Sequence, residues 1–297
     1  MRFNRIGSLE VSCVGLGCNN FGRRIDRSET RAVIDAALDA DVTFLDTADV
    51  YGSSDSERFI GQALEGRRER AVIATKFGHD QGYGGAPGSR EYVRKAVAAS
   101  LERLRTDYVD LLYYHRPDGV TPLDETIDAM EELKREGKTR EIACSNLDAA
   151  QLEEVGTRIE ALQNQYSLLE RGAEKEVLPL CRELGIGFVP YFPLASGLLT
   201  GKYRRGEPAP EGTRLHGREL SDESFDVVER LELFGREHGR SLLEVAISGL
   251  ASQDAIVAVI AGATKPEQVR ANAAAGAWQL TREELDELLQ IAAGSPA

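Results

Sequence analysis

Four side chains in the first half of the chain have types suited to moving a proton at a polarised oxygen. Asp46 closes a short apolar run, Thr43-Phe44-Leu45, and Tyr51 follows five residues later beside the turn formers Gly52-Ser53-Ser54. Lys76 and His115 each close a further apolar run. A free tyrosine has a pKa near ~10 and is a sluggish proton donor at neutral pH. A neighbouring ammonium favours the phenolate and lowers that pKa. Lys76 can be that ammonium, and Asp46 can be the counter-ion that keeps Lys76 charged. His115 could orient a carbonyl oxygen or assist proton transfer. Taken singly, a strand-end Asp or His is more often structural than catalytic; the joint pattern points to a site. It amounts to half of a reduction, the other half being a hydride source.

These residues need a frame that brings strand ends together. Residues 2–12 alternate around a Gly-Ser turn and predict a β-hairpin. Val14-Gly15-Leu16-Gly17 is a short strand, and Ser28 is a candidate cap for the helix that follows. Next come the strand ending at Asp46, a helix over 56–65, the strand Ala71 to Thr75 ending at Lys76, and a glycine-rich loop. The helix after that loop starts at Ser89. The strand 109–114 ends at His115, a helix covers 123–136, and the strand 142–144 ends at Ser145-Asn146. Helix 148–156, strand 161–164, helix 173–184 and strand 187–191 continue the alternation. A long loop, 195–221, precedes helices at 222–238 and 241–252 and a last strand at 256–260. Helices from Pro266 and over 281–292 end the chain, the last with a capping box in Thr281 and Glu284.

Eight strands, each followed by a helix, predict a parallel sheet. That number favours a closed (β/α)8 TIM barrel, with an N-terminal β-hairpin and extra helices near the C-terminus. No GxGxxG follows the first strand, where an open dinucleotide-binding sheet would carry one. No linker divides the chain, so one domain is expected over 1–297, with the long loop as a lid. In such barrels the site lies at the C-terminal ends of the strands. That rim would carry Asp46, Lys76, His115, Ser145, Asn146, Gln163 and Tyr191.

Composition narrows the partners. The chain has 297 residues, 42% hydrophobic, with a formal net charge of −13. That charge argues against nucleic acid and against an anionic membrane surface, while local basic groups can still hold an anionic cofactor. The four cysteines, Cys13, Cys18, Cys144 and Cys181, form no CxxC pair, and the four histidines are too scattered for a metal site. Free thiols in a reducing compartment are expected. With no apolar leader at the N-terminus and no apolar run of about 18 residues, a cytoplasmic protein is expected. It could be a monomer or a homo-oligomer.

The longest motifs carry a family resemblance. FLDTADVYGSSDSERFIGQAL at 44–64, IATKFG at 73–78 and EYVRKAVAASLERLRTDYVDLLYYHRPD at 91–118 resemble the aldo-keto reductase superfamily. REIACSNL at 140–147, LQNQYSLLER at 162–171, PYFPLASGLLTGKY at 190–203 and GATKPEQVRAN at 262–272 extend the likeness over nearly the whole chain. The resemblance implies a (β/α)8 barrel with an N-terminal hairpin and a tetrad at Asp46, Tyr51, Lys76 and His115, with Tyr51 as general acid. It implies a nicotinamide cofactor, NADPH/NADP+ in preference to NADH. The nicotinamide carboxamide would be held by Ser145, Asn146 and Gln163, with Tyr191 stacked under the ring. The pyrophosphate would lie near Pro193, Leu194, Ser196, Gly197, Leu198 and Lys202. The adenosine end would meet Gly262, Thr264, Lys265, Gln268 and Asn272, with Arg214 or Arg218 helping at a 2′-phosphate.

The expected activity is reduction of small aldehydes or ketones. A second reading comes from the same resemblance. The subgroup includes potassium-channel β subunits, so an NADPH-binding regulatory or redox-sensing subunit with little turnover is the alternative. A barrel hydrolase or lyase would leave Ser145, Asn146, Gln163 and Tyr191 without a purpose. Cys18 and Asn20, after the first strand, are candidates for the pocket mouth. Tyr113 and Tyr114, adjacent in one strand, should face opposite sides. Trp278 is expected to pack the C-terminal helix.

Overall fold

The computed structural model describes residues 1–218 and 221–294. The chain begins with the antiparallel hairpin β1 (Phe3–Ile6) and β2 (Leu9–Ser12). Then strands and helices alternate: β3 (Val14–Gly17), α1 (Arg27–Asp39), β4 (Phe44–Asp46), α2 (Asp55–Ala63), β5 (Val72–Phe77), α3 (Arg90–Leu104), β6 (Val109–Tyr114) and α4 (Leu123–Arg135). They continue with β7 (Thr139–Ser145), α5 (Ala149–Val155), β8 (Ala161–Gln163), α6 (Val177–Leu184) and β9 (Gly187–Phe188). Two helices, α7 (Asp222–Glu237) and α8 (Leu242–Ala251), precede β10 (Val259–Gly262), and α9 (Pro266–Ala275) and α10 (Arg282–Ala292) follow it. Strands β3 to β9 pair in chain order, all parallel, and β10 pairs with β3. The ring closes through the Phe188 amide donating to the Ala255 carbonyl (2.7 Å) and the Val257 amide donating to that of Phe188 (3.0 Å). This is the expected (β/α)8 barrel.

Period-two alternation sorts the strand residues into layers. Phe44, Ala74, Leu111, Ala143, Ala161, Val189 and Ala258 form an apolar cluster with Ile6, Leu9 and Val11 of the hairpin. The hairpin therefore plugs the N-terminal end of the barrel. Two residues further along, six of these seven segments carry Asp46, Lys76, Tyr113, Ser145, Gln163 and Tyr191, and the seventh carries Ile260. One apolar layer thus supports a polar one at the other end. Phe44 fits because Gly15 faces it: a Cβ at Gly15 would lie 2.8 Å from the Phe44 ring. Tyr113 joins the inner cluster, while Tyr114 belongs to the outer one and stacks on Phe77, as alternation requires.

Several boundaries differ from the sequence reading. The cap of α1 is Asp26, not Ser28; Asp26 and Glu29 form a capping box. Helix α6 begins at Val177, since Pro179 has no amide to donate and is tolerated only in a first turn. The strand expected over 187–191 stops at Phe188 because Pro190 cannot continue the ladder. The last strand starts at Val259 rather than Ile256, whose segment is occupied in closing the ring against Phe188. All four cysteines are free and buried. Cys18 and Asn20 both line a cavity at the C-terminal ends of the strands, as expected, but Cys18 is fully buried, and burial drives its thiol well above the ordinary range. No helix among the described residues is long and apolar enough to cross a membrane, and no acidic, histidine or cysteine cluster could hold a metal.

Candidate active site

The polar layer opens into a cavity of about 880 Å³ at the C-terminal ends of the strands. Its floor is built by β4 and β5. Lys76, fully buried, donates to the Asp46 carboxylate and to the Thr47 carbonyl (2.8 Å). Gln163 Nε2 donates to the second oxygen of Asp46 at 2.8 Å. A buried ammonium is costly unless paired and hydrogen-bonded, and here it is both. Burial presses the Lys76 pKa down, but the Asp46 carboxylate raises it, and the net direction is up.

Tyr51 reaches this pair from the β4–α2 loop. That loop turns back through left-handed residues, Gly52 (φ 58°), Ser53 (φ 54°) and Ser54 (φ 73°). Lys76 Nζ lies 5.1 Å from the Tyr51 ring centroid, and the His115 ring lies 5.9 Å from it, edge to face. The expectation that Lys76 lowers the tyrosine pKa is corrected in its outcome. Lys76 pulls in that direction, but burial outweighs it, and the Tyr51 hydroxyl is held above its ordinary value. Burial, with Lys76 adding to it, pushes His115 down to about 2, so the imidazole is neutral at physiological pH. Its Nδ1 is buried without a partner.

A polar belt runs round one side. Asn146, in a left-handed conformation (φ 59°), donates to the His115 carbonyl (2.9 Å) and to Ser145 Oγ (3.0 Å), and accepts from the Tyr191 hydroxyl (2.8 Å). Ser145 Oγ donates to the Gln163 carbonyl (2.7 Å). Opposite, the long loop arches over the cavity. Phe192, Ala195 and Ser196 all have positive φ, a costly conformation for residues with a side chain. Lys202 crosses the tight turn at Gly197, where a Cβ would lie 2.9 Å from its Nζ. Arg214 bonds Asn19 and Asn20 at 2.9 and 3.0 Å, and Arg24 reaches the Gly212 carbonyl, so the loop is strapped to the segment after β3.

Of the residues expected from sequence, Asp46, Tyr51, His115, Ser145, Asn146, Gln163, Tyr191, Pro193, Leu194, Ser196, Gly197, Lys202, Gly262, Thr264, Lys265, Gln268 and Asn272 line this one cavity. Lys76 lies beneath it. Leu198 does not line it; its side chain is buried in the outer core. Arg214 lines the cavity, and Arg218 is exposed outside it. Gln268 already accepts from the Thr264 amide at 2.8 Å. Sequence reasoning missed His79, Arg116 and Phe192, which complete the wall near Tyr51, and Arg24. For His79 and Arg116 the signal was present, since each follows a strand end directly or nearly so. Arg24 had none, its place being fixed by the loop that folds onto it.

A second buried cluster beneath Tyr51 was also missed. Glu57 accepts from Thr75 Oγ1 (2.5 Å) and Arg103 Nε (2.6 Å). Beside it the Asp49 carboxylate is fully buried, and neither oxygen has a partner. Burial, reinforced by Glu57, raises Asp49 to about 7.

A barrel with this hairpin and this rim has close relatives. The model of the Aldo/keto reductase family matches residues 13–293. The chain belongs to the aldo/keto reductase family. Among its relatives is "Probable aldo-keto reductase 1" of Glycine max, 35% identical over 296 residues, covering 95% of this chain and 86% of that protein. Another is "Probable voltage-gated potassium channel subunit beta" of Oryza sativa subsp. japonica, 36% identical over 296 residues, covering 92% and 90%. A similar solved structure is the holo form of aldo-keto reductase AKR11C1 from Bacillus halodurans, 35% identical, with a TM-score of 0.83 over 98% of this chain and 96% of that one. Membership supports an oxidoreductase of the aldo-keto reductase type, a family that acts on small carbonyl compounds.

Proposed function

We propose that this aldo-keto reductase is an NADP(H)-dependent reductase of aldehydes and ketones, with Tyr51 as general acid. The observation that carries the reading is the convergence of Tyr51, His115 and the buried Lys76–Asp46 pair at one end of a large cavity. A bound reduced nicotinamide would supply the hydride delivered to the carbonyl carbon. The cavity fits such a group. One part carries Arg24, Lys202, Arg214 and Lys265 in a chain of net charge −13, and the N-terminus of α9 opens there. Ser145, Asn146, Gln163 and Tyr191 would supply the carboxamide partners and the ring contact. Lys265 and Arg214 are the candidates for a 2′-phosphate, hence NADPH over NADH.

The side chains then divide the work. His115 is neutral, so it orients the carbonyl oxygen as a hydrogen-bond donor and does not deliver charge. Tyr51 remains protonated through neutral pH because burial raises it, so its proton is available when negative charge grows on the substrate oxygen. Lys76 stabilises the phenolate left behind, and Asp46 with Gln163 fixes Lys76. Tyr51→Phe is expected to lower kcat by about 10²–10⁴, the usual worth of a positioned acid. The measurement is NADPH consumption at 340 nm with 4-nitrobenzaldehyde. Full activity in that variant would remove Tyr51 from the chemistry. The likeness to the rice channel-subunit protein favours one second reading, a nucleotide-binding regulatory subunit. Tight NADPH binding by tryptophan quenching, with no turnover across a carbonyl panel, would favour it.

A further inference from the structure

The cations that line the cavity fall into two groups. Arg24, Lys202, Arg214 and Lys265 belong to the lid and to the β3 and β10 ends. Arg116 stands apart, directly after His115 at the end of β6. Its charge acts on a different set of neighbours. After burial, Arg116 is among the causes that hold His79 and His115 below the ordinary imidazole value, and it opposes burial at Tyr191. The His79 and His115 rings touch edge to face with centroids 4.7 Å apart. Arg116 lines the same cavity as Tyr51, His79 and His115, and it follows His115 directly in the chain, so it shares the wall where the carbonyl would lie.

Among the described residues the Arg116 guanidinium makes no ion pair and no hydrogen bond. The carboxylates nearby are occupied. Asp46 is held by Lys76 and Gln163. Asp118 takes the amides of Gly88, Val120 and Thr121. Among the other cations lining the cavity, Arg24 and Arg214 are already hydrogen-bonded, to the Gly212 carbonyl and to Asn19 and Asn20. An unpaired fork of donors beside a carbonyl site matches a carboxylate, which it can bind through two parallel bonds.

Building on the reductase reading, we propose that Arg116 is a specificity residue that selects carbonyl substrates carrying a carboxylate at the end remote from the reacting carbon. Arg214, the other guanidinium near, lies 5.7 Å from the Phe192 ring and is held by Asn19 and Asn20, which leaves Arg116 as the one of the two without a partner, and the Tyr51 ring suits the substrate's apolar middle.

Two aldehydes of the same size test it, 4-formylbenzoate and 4-formylbenzamide, which differ mainly in charge. Wild type is expected to favour the benzoate in kcat/KM by about tenfold, the scale of a partly exposed charge-assisted pair. In Arg116→Gln the ratio should fall to near one through KM, and Arg116→Lys should retain part of it. Raising salt from 0.05 to 0.5 M should shrink the wild-type preference, because the guanidinium is exposed. A ratio near one in wild type, or a preference that survives Arg116→Gln, overturns the proposal. If neither aldehyde is reduced, the reductase reading has failed and calorimetry with benzoate and benzamide decides this one. Benzoate binding weakened about tenfold by Arg116→Gln supports it, and equal binding of the two ligands by wild type overturns it.

Discussion

At the scale of single residues, two buried carboxylates a few positions apart behave in opposite ways. Asp46 is paired on both oxygens; Asp49 is paired on neither. Removing the Asp46 charge leaves the buried Lys76 ammonium without its counter-ion, with only neutral carbonyl oxygens to accept from it. Asp46→Asn is therefore expected to destabilise the fold by about 3–5 kcal/mol, the usual consequence of breaking one side of a buried pair. Urea unfolding at pH 7 measures it, and a change below 1 kcal/mol would mean that the pair is dispensable. Asp49 gives the reverse sign. Its folded-state pKa, about 7, lies above the ordinary 3.8, so the unfolded chain ionises first as pH rises. Stability from this group is complete below pH 4 and is lost as pH climbs through 7, by at most about 4 kcal/mol. Asp49→Asn should thus raise the unfolding temperature at pH 8 by several degrees and leave it nearly unchanged at pH 4. Equal destabilisation at both pH values would show that Arg103 holds Asp49 ionised. Asp46 was legible in the sequence because it ends an apolar run. Asp49 was not, because its burial depends on Glu57, Thr75 and Arg103 arriving from three other elements.

At the scale of elements, the β4–α2 loop positions the tyrosine, and its geometry rests on Gly52. That residue has φ 58°, and a Cβ there would collide with the Phe21 carbonyl and lie 3.0 Å from the Gly22 Cα. The loop after β3 is thus packed directly on the turn that carries Tyr51. Gly52→Ala should displace Tyr51 and lower kcat by about 10²-fold, as a displacement of about an ångström can. NADPH affinity, read by tryptophan quenching, should change little, since Lys265 and Lys202 lie elsewhere on the rim. Gly66→Ala is the comparison: φ is 75° but a Cβ meets nothing, so only about 1–2 kcal/mol of backbone strain is expected, with no loss of kcat. Equal kcat in both variants would separate the turn from the site. The strand and helix alternation was readable because each β strand is a short apolar run closed by a polar residue. Ends were misread where a tertiary partner or a proline decided them, as at Ile256, whose segment closes the barrel, and at Pro190.

At the scale of the whole molecule, the barrel has one end for chemistry and one for stability. The polar layer and all the lining cations lie at the C-terminal ends of the strands, and the other end is sealed by the hairpin. The sequence made the hairpin visible through its alternation about Gly7-Ser8, but nothing in residues 2–12 says where its apolar face is buried. In the structure Ile6, Leu9 and Val11 complete the inner apolar layer, and Glu141 of β7 fixes the turn by accepting from the Ser8 amide at 2.8 Å. Leu9 is 1% exposed. It touches the layer that supports the site, but not the site itself. Leu9→Ala should then cost about 2–5 kcal/mol, the range for a buried leucine whose surroundings cannot fully collapse. Well below the unfolding temperature, the surviving folded protein should keep its kcat and its KM for NADPH, because the rigid ladders between Phe44 and Asp46, or Ala74 and Lys76, hold the polar layer in place. Urea titration and initial rates at 15 °C measure the two quantities on one sample. A kcat that falls in step with stability would mean that the plug and the polar layer move together, and that the two ends of the barrel are mechanically coupled.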